Sequence, residues 1–293
     1  MLGERVRPAR QRDPYEGKRV WFVTGSSKGI GAAIVRAALL AGDTVVATAR
    51  HPARVVGAPA GSSGVQIVLP LDVNDTVSIA TAVSSAVKKA GRIDVLVNNA
   101  GYGLLGAIEE AEDDEIRAQF ETNVFGLLAV TRAVLPIMRA QRSGHVVNLS
   151  SIGGFVASMA FGVYNASKFA VEAITEAIAL EAGPLGIRAT VVEPGSFRTD
   201  FYGAGVRHTR RRICDYDDTA GAARSNSMAR HGAQPGDPDK VAAAIIAIVR
   251  SSHPPLRLPL GSDAVAKVEA KLELVRRELD AWHDIATGTD IVD

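Results

Sequence analysis

Short, strongly apolar runs alternate with longer stretches in which apolar residues recur every three or four positions. The runs are VWFVT (20–24), TVVATA (44–49), VQIVLP (65–70), IDVLVN (93–98), HVVNLS (145–150), RATVVE (188–193) and LRLPL (256–260). Most are apolar at consecutive positions, as strands covered by helices on both faces must be. Helical spacing fills the gaps at about 30–41, 75–90, 107–140, 163–182 and 239–250. Seven strands interleaved with helices predict an α/β chain, a Rossmann-type doubly wound parallel seven-stranded sheet with helices on both faces. No repeat and no Pro- or Ser-rich linker divides it, so residues 18–293 are expected to form a single domain after a solvated tail of residues 1–17.

Two stretches break the alternation. Residues 202–238 are rich in Gly, Arg and Asp and far longer than an ordinary strand–helix loop, which reads as either a substrate lid or a disordered segment. At 262–286 a C-terminal helix is expected, with Ser262 as its N-cap and an apolar stripe of Val265, Val268, Leu272, Val275, Leu279 and Trp282. That stripe requires burial against the domain or against a partner subunit.

Composition narrows the function classes. The 293 residues carry a net charge of +1, which gives no reason to invoke nucleic acid or a membrane surface. The longest apolar run, VAAAIIAIV (241–249), is less than half a bilayer span, and the Arg-rich N-terminus carries Glu4, Asp13 and Glu16 and lacks the apolar core of a secretory signal. Cys214 is the single cysteine, so neither an intramolecular disulfide nor a cysteine metal cluster is possible. The expectation is a cytoplasmic protein with no membrane span and no metal.

In VWFVTGSSKGIGAAIVRAALLAG a strand, a glycine-rich turn and a helix follow one another. Gly25 permits the tight turn, Gly29 lets backbone approach a diphosphate, and Gly31 lets the helix pack closely; the anion then sits on the helix N-terminus. The literal GxGxxG lies elsewhere, at GYGLLG (101–106). A long acidic helix follows it, which opposes an anion, so this loop is expected to line the nicotinamide end instead. At the end of TVVATAR an NAD site calls for an acidic residue, whereas Ala49 is neutral and Arg50 follows. With Lys28 as a second cation in the glycine loop, this pattern favours NADP(H).

GVYNASKFA (162–170) sets Tyr164 and Lys168 four residues apart, on one face of a helix. A cation about 4–5 Å from a phenolate contributes about 4 kcal/mol at an effective dielectric near 20, enough to lower a phenol pKa by roughly two to three units. The pair is therefore expected to act as a general acid/base with a depressed tyrosine pKa. Taken alone, the pair reads first as a packed tyrosine beside an exposed lysine, and the motif needs context.

With TGSSKGIG, NNAG (98–101), Asn123, SS (150–151), YNASK and PGSFRT (194–199) in this order, the chain resembles the short-chain dehydrogenase/reductase family, in its single-domain branch, over residues 18 to about 260. The resemblance to the hydroxysteroid and retinol dehydrogenase-like reductases is a further, weaker likeness. It implies that Tyr164 is the acid/base and that Lys168 lowers its pKa and holds the nicotinamide ribose. Ser151 would hold the substrate oxygen, and Asn123 would anchor a proton relay through its main chain. For the cofactor it implies Gly25, Ser27, Lys28, Gly29, Ile30 and Gly31 at the diphosphate, Arg50 at the ribose, and Asp72 with Val73 at the adenine. Asn98, Asn99, Ala100 and Gly101 would line the middle of the cofactor, and Pro194, Gly195 and Thr199 the nicotinamide.

The segment IGGFVASMAFGV (152–163) either walls an apolar pocket with Phe155, Met159 and Phe161 or belongs to the core. RHTRRR (207–212) either attracts an acidic substrate or is solvated. Together these readings predict an NADP(H)-dependent oxidoreductase acting on a small-molecule carbonyl or alcohol, as a homodimer or homotetramer. The alternative is a catalytically silent NADP-sensing regulator of the same fold. A sugar-nucleotide epimerase is disfavoured, since the TGxxGxxG loop more common in those enzymes is absent.

Overall fold

Each predicted run becomes a strand in the computed structural model, which describes residues 17–291. In chain order the strands are β1 (Val20–Val23), β2 (Thr44–Ala49), β3 (Val65–Pro70), β4 (Val95–Asn98), β5 (Gly103–Leu105), β6 (Gly144–Leu149), β7 (Ile187–Pro194), β8 (Val206–His208) and β9 (Arg257–Leu260). Seven of them form one sheet in the order β3-β2-β1-β4-β6-β7-β9, parallel throughout. The expected fold class holds. Apart from Gly17, the expected tail lies outside the described residues.

Helices cover both faces, which is why the strand runs are apolar at most positions. On one face α1 (Gly29–Leu40) and α7 (Pro238–Arg250) press Ile34, Leu39 and Ile245 onto Trp21, Val45 and Val95. On the other, α2 (Thr76–Ala90), α4 (Leu127–Gln141) and α5 (Gly162–Ala182) press Val83, Val134 and Ile178 onto Phe22, Leu96 and Val146. Burying each such side chain stabilises by about 1.5–3 kcal/mol. Asp75 starts α2 by accepting the N–H groups of Val77 and Ser78, and Gly91, at φ +79°, ends it in the left-handed region. The chain leaves β1 toward β2 and β3, then returns to β4 on the other side of β1. The carboxyl ends of β1 and β4 therefore flank a switch-point crevice, where ligands bind in such sheets.

Three expectations need correction. The helical pattern over 107–140 begins instead with a 3-10 turn at Ile108–Glu110. It continues as α3 (Asp113–Phe120), a π-helical turn (Glu121–Gly126) and α4. The rod Asp113–Gln141 is long and apolar enough to cross a membrane by length and composition, but it buries Val130, Val134 and Met138 against the sheet. Insertion 202–238 is not structureless: it holds β8, a π-helical turn and α6 (Ala222–Ala229). Finally, α8 (Ser262–Ala281) starts one residue later than expected. Gly261, at φ +95°, occupies the N-cap position, and Ser262 is the first helical residue. Of its stripe, Val268 is half-buried, whereas Leu272 is 56% and Trp282 64% exposed. Burial against the chain's own domain ends within the first two turns.

Candidate active site

The glycine turn after β1 is held in shape by the loop after β4. Thr24 Oγ1 accepts the N–H groups of Asn99 and Ala100, both at 3.0 Å, and Asn99 Nδ2 donates to the carbonyls of Thr24 (3.0 Å) and Gly25 (2.9 Å). Gly25 has φ +65°, and a Cβ there would lie 2.9 Å from Ala100 Cα; one on Gly31 would lie 2.4 Å from the Asn99 amide. Both positions therefore exclude a side chain. Gly29, at φ +57°, faces Thr199, to which a Cβ would be 3.6 Å. No side chain caps the N-terminus of α1, so its N–H groups face the crevice.

A cleft of about 1000 Å³ runs from this turn across the carboxyl ends of the strands. At one end it is lined by Arg50, Asp72 and Val73, together with His51 and Arg54, which the sequence did not single out because they carry no motif. Ser27, Lys28, Gly29 and Ile30 line its middle with Asn99, Ala100 and Gly101; Pro194, Gly195 and Thr199 line the far side. Gly31, Asn98 and Asn123 support it from behind. Asn98 Nδ2 donates to Thr131 Oγ1 and Asn148 Oδ1, each at 2.9 Å, tying β4 to α4 and β6. Lys28 meets a partner that sequence could not foresee, since its Nζ lies 2.7 Å from Asp200 Oδ2, 172 residues away.

The reacting end sits where α5 meets β6. Tyr164 is buried, its ring edge-on to Phe161 at 5.8 Å and tilted to Phe201 at 5.8 Å. Burial pushes the Tyr164 phenol up to about 12, with the neighbouring Ser151 opposing the shift. This reverses the expected depression. The Lys168 ammonium lies 5.8 Å from the ring centroid and donates to the Leu149 carbonyl at 2.7 Å, so desolvation of the phenolate outweighs it. Lys168 is itself buried, which lowers it to about 8 despite the nearby Glu172 carboxyl. Ser151, at the end of β6, also accepts the Gly153 N–H at 3.0 Å.

Asn123 occupies the π-helical turn. Its Nδ2 donates to the Tyr102 carbonyl (2.9 Å) and Ser167 Oγ (3.1 Å), and its Oδ1 accepts the Tyr102 N–H (3.1 Å). The side chain thus pins the loop after β4, while the π turn breaks the regular helical ladder around it. Behind Lys168 lies a buried polar group that no motif announced. Arg257 Nε is 3.4 Å from Glu172 Oε2 and 3.7 Å from Glu193 Oε1.

The apolar wall is built partly as expected. Met159 and Phe161 line the cleft, Phe155 does not, and Ile152 and Val156 take its place; Phe201 and Tyr202 close the opposite side from the insertion. The insertion is clasped by the acidic stretch after GYGLLG. There β5 pairs in parallel with β8, Glu110 makes a buried ion pair with Arg224, and Arg210 is held by Glu112 and Asp114. Of RHTRRR, Arg207 stacks on Tyr102 at 4.4 Å and lines the cleft, whereas Arg211 and Arg212 are exposed.

A switch-point glycine turn facing the half-buried Ser151 and the buried Tyr164 and Lys168 defines a Rossmann-type oxidoreductase scaffold. The chain belongs to the short-chain dehydrogenase family, whose model, described as short chain dehydrogenase, matches residues 19–208. Among its relatives, oxidoreductase BOA17 of Botryotinia fuckeliana is 37% identical over 92% of this chain and 99% of its own length. A 3-ketodihydrosphingosine reductase of Bacteroides thetaiotaomicron is 37% identical over 83% of this chain and 88% of its own. The crystal structure of a short-chain dehydrogenase from Streptomyces avermitilis superposes with a TM-score of 0.87 at 42% identity, covering 94% of this chain and all of that one.

Proposed function

We propose that the chain is an NADP(H)-dependent short-chain alcohol dehydrogenase or carbonyl reductase, moving a hydride between nicotinamide and an apolar ketone, aldehyde or secondary alcohol. The observation that carries this reading is the buried Tyr164 phenol, which lines the same cleft as Ser151, Lys168 and the glycine turn. The cradle fits a dinucleotide, because side chains at Gly25 and Gly31 would fill it and the uncapped α1 N-terminus offers N–H donors to a diphosphate. The nicotinamide, when bound, supplies or accepts the hydride.

The chain's own residues supply the rest. Arg50, exposed at the β2 end of the cleft, is suited to a 2′-phosphate; Lys28 would first have to leave Asp200. Lys168 Nζ, close beside Gly101, is suited to the ribose hydroxyls. Phe161, Phe201 and Tyr202 exclude water from the reacting atoms. A phenol pushed up to about 12 holds its proton at neutral pH, so Tyr164 donates that proton to a carbonyl oxygen held by Ser151. The name of the Bacteroides relative, a keto-compound reductase, agrees with an apolar ketone as the substrate class.

Tyr164→Phe should lower turnover about 10²–10⁴-fold while leaving NADPH affinity within a few-fold, measured against a panel of carbonyls. Turnover within tenfold of the unmodified protein would refute the role of Tyr164, whereas NADPH binding with no turnover of any carbonyl by the unmodified protein would leave the NADP-sensing regulator standing. Arg50→Ala should reduce the preference for NADPH over NADH by roughly one to two decades, the loss of one charge-assisted contact of about 1.5–3 kcal/mol. Equal kcat/KM for the two cofactors in the unmodified protein would remove the NADP(H) reading and keep the oxidoreductase.

A further inference from the structure

Helix α8 leaves the domain almost as soon as it begins. Asp263 accepts the Ser196 N–H at 2.9 Å and Ala264 is fully buried, but from Leu272 onward every residue of the helix is exposed. Its apolar positions Val265, Val268, Leu272, Val275 and Leu279 are spaced 3, 4, 3 and 4, and Trp282 follows at the C-cap. That is the a/d pattern of a coiled-coil seam, and an exposed seam of this kind needs a partner. In proteins most of a helix's stability comes from packing its apolar face, which α8 does only within its first half.

We propose that the partner is a second copy of this chain and that the two α8 helices pair antiparallel. Numbering Val265 as a places Glu269 and Arg276 at e, and Lys271 and Glu278 at g. In an antiparallel pair e faces e and g faces g. Glu269 of each copy then meets Arg276 of the other, and Lys271 meets Glu278, so all four contacts join opposite charges. In a parallel pair g faces the following e, which sets Lys271 against Arg276, two like charges. The antiparallel register also seats a against d within the helix, with Val268 opposing Leu279 and Leu272 opposing Val275.

Within its own helix Arg276 donates to Asp280 at 3.2 Å. Its side chain is 75% exposed and can serve the second copy as well. Leu274 falls outside the seam. The partially covered Val265, 40% exposed, sits at the base of the helix, where the C-terminal end of the other copy's α8 would arrive. This contact lies on a different element from the exposed face of α5 and is independent of the proposed reaction.

The test is the mass of the full-length chain by light scattering across a dilution series. Leu272→Glu/Leu279→Glu should halve the mass, whatever assembly remains, with turnover and helical signal retained. Arg276→Glu should raise the concentration at which the assembly dissociates by roughly three- to tenfold, and adding Glu269→Arg should restore it. A mass unchanged by Leu272→Glu/Leu279→Glu overturns the proposal. Tightening by Arg276→Glu overturns the antiparallel arrangement, because that substitution would relieve the clash of a parallel pair. Flotation of the unmodified chain with phosphatidylcholine vesicles, abolished by Leu272→Glu/Leu279→Glu without any change in mass, overturns it in favour of a lipid surface.

Discussion

Glu193 shows how much a single buried carboxyl can set. Burial and the neighbouring Glu172 carboxyl push it up to about 7, with Arg257 opposing. Between about 4.5 and 7 the folded chain holds a proton that the unfolded chain has lost, so Glu193's contribution to stability falls as pH rises through that window. Glu193→Gln removes the effect. The melting temperature of the variant relative to the unmodified protein should therefore be higher at pH 8 than at pH 4.5, by differential scanning calorimetry; a gap independent of pH would contradict it. Buried His145, lowered to about 3, works in the opposite sense, with stability rising as pH climbs from 3 to 6.5, and is common to both proteins. The Tyr164/Lys168 pair was legible because helix periodicity alone makes positions four apart neighbours. The sign of the phenol's shift was not, because it depends on burial by Phe161 and Phe201, and Phe201 lies 37 residues further along the chain. The Lys28–Asp200 pair was hidden for the same reason.

At the scale of elements, the seven sheet strands could be read because two-sided burial writes an apolar residue at nearly every position. Strands β5 and β8 could not. Each has three residues, and their pairing joins segments about a hundred residues apart, Gly103 to Val206. The π-helical turn around Asn123 likewise leaves no periodic mark, since six residues are too few to shift a helical pattern. The insertion was legible as an exception to the alternation but not as an ordered one. Its order comes from ion pairs with the acidic stretch 110–114, whose charge in sequence argued only against an anion. We propose that residues 202–238, with the wall 152–163, set substrate choice. Replacing residues 204–234 with a short Gly-Ser linker should change the ranking of carbonyl substrates by kcat/KM, with NADPH binding as the folding control. An unchanged ranking would show that the insertion does not select the substrate. Charged carbonyls as the best substrates of the intact chain would instead point to Arg207.

For the whole molecule, α5 presents an apolar face that the domain does not cover. Phe169 and Leu180 are 45% and 79% exposed, with the small residues Ala166, Ala173 and Ala177 also exposed, and Phe125 is 54% exposed just before α4. A helix apolar on more than its core-facing side is suited to burial on both. We propose that this face builds the homodimer or homotetramer. Phe169→Glu should lower the mass measured by light scattering at micromolar concentration, and a monomeric unmodified protein would settle the matter against it. The clasp between the insertion and the acidic stretch has a consequence for how the molecule can be altered. Because Glu110, Glu112 and Asp114 belong to the segment after β4 while Arg210 and Arg224 belong to the insertion, the two are one unit split across the chain. An insertion borrowed from a relative to change substrate range will arrive without its anchor and leave a buried Glu110 unpaired. A graft that carries residues 103–115 together with 202–238 moves lock and key as a pair, and modularity in this protein begins at that larger piece.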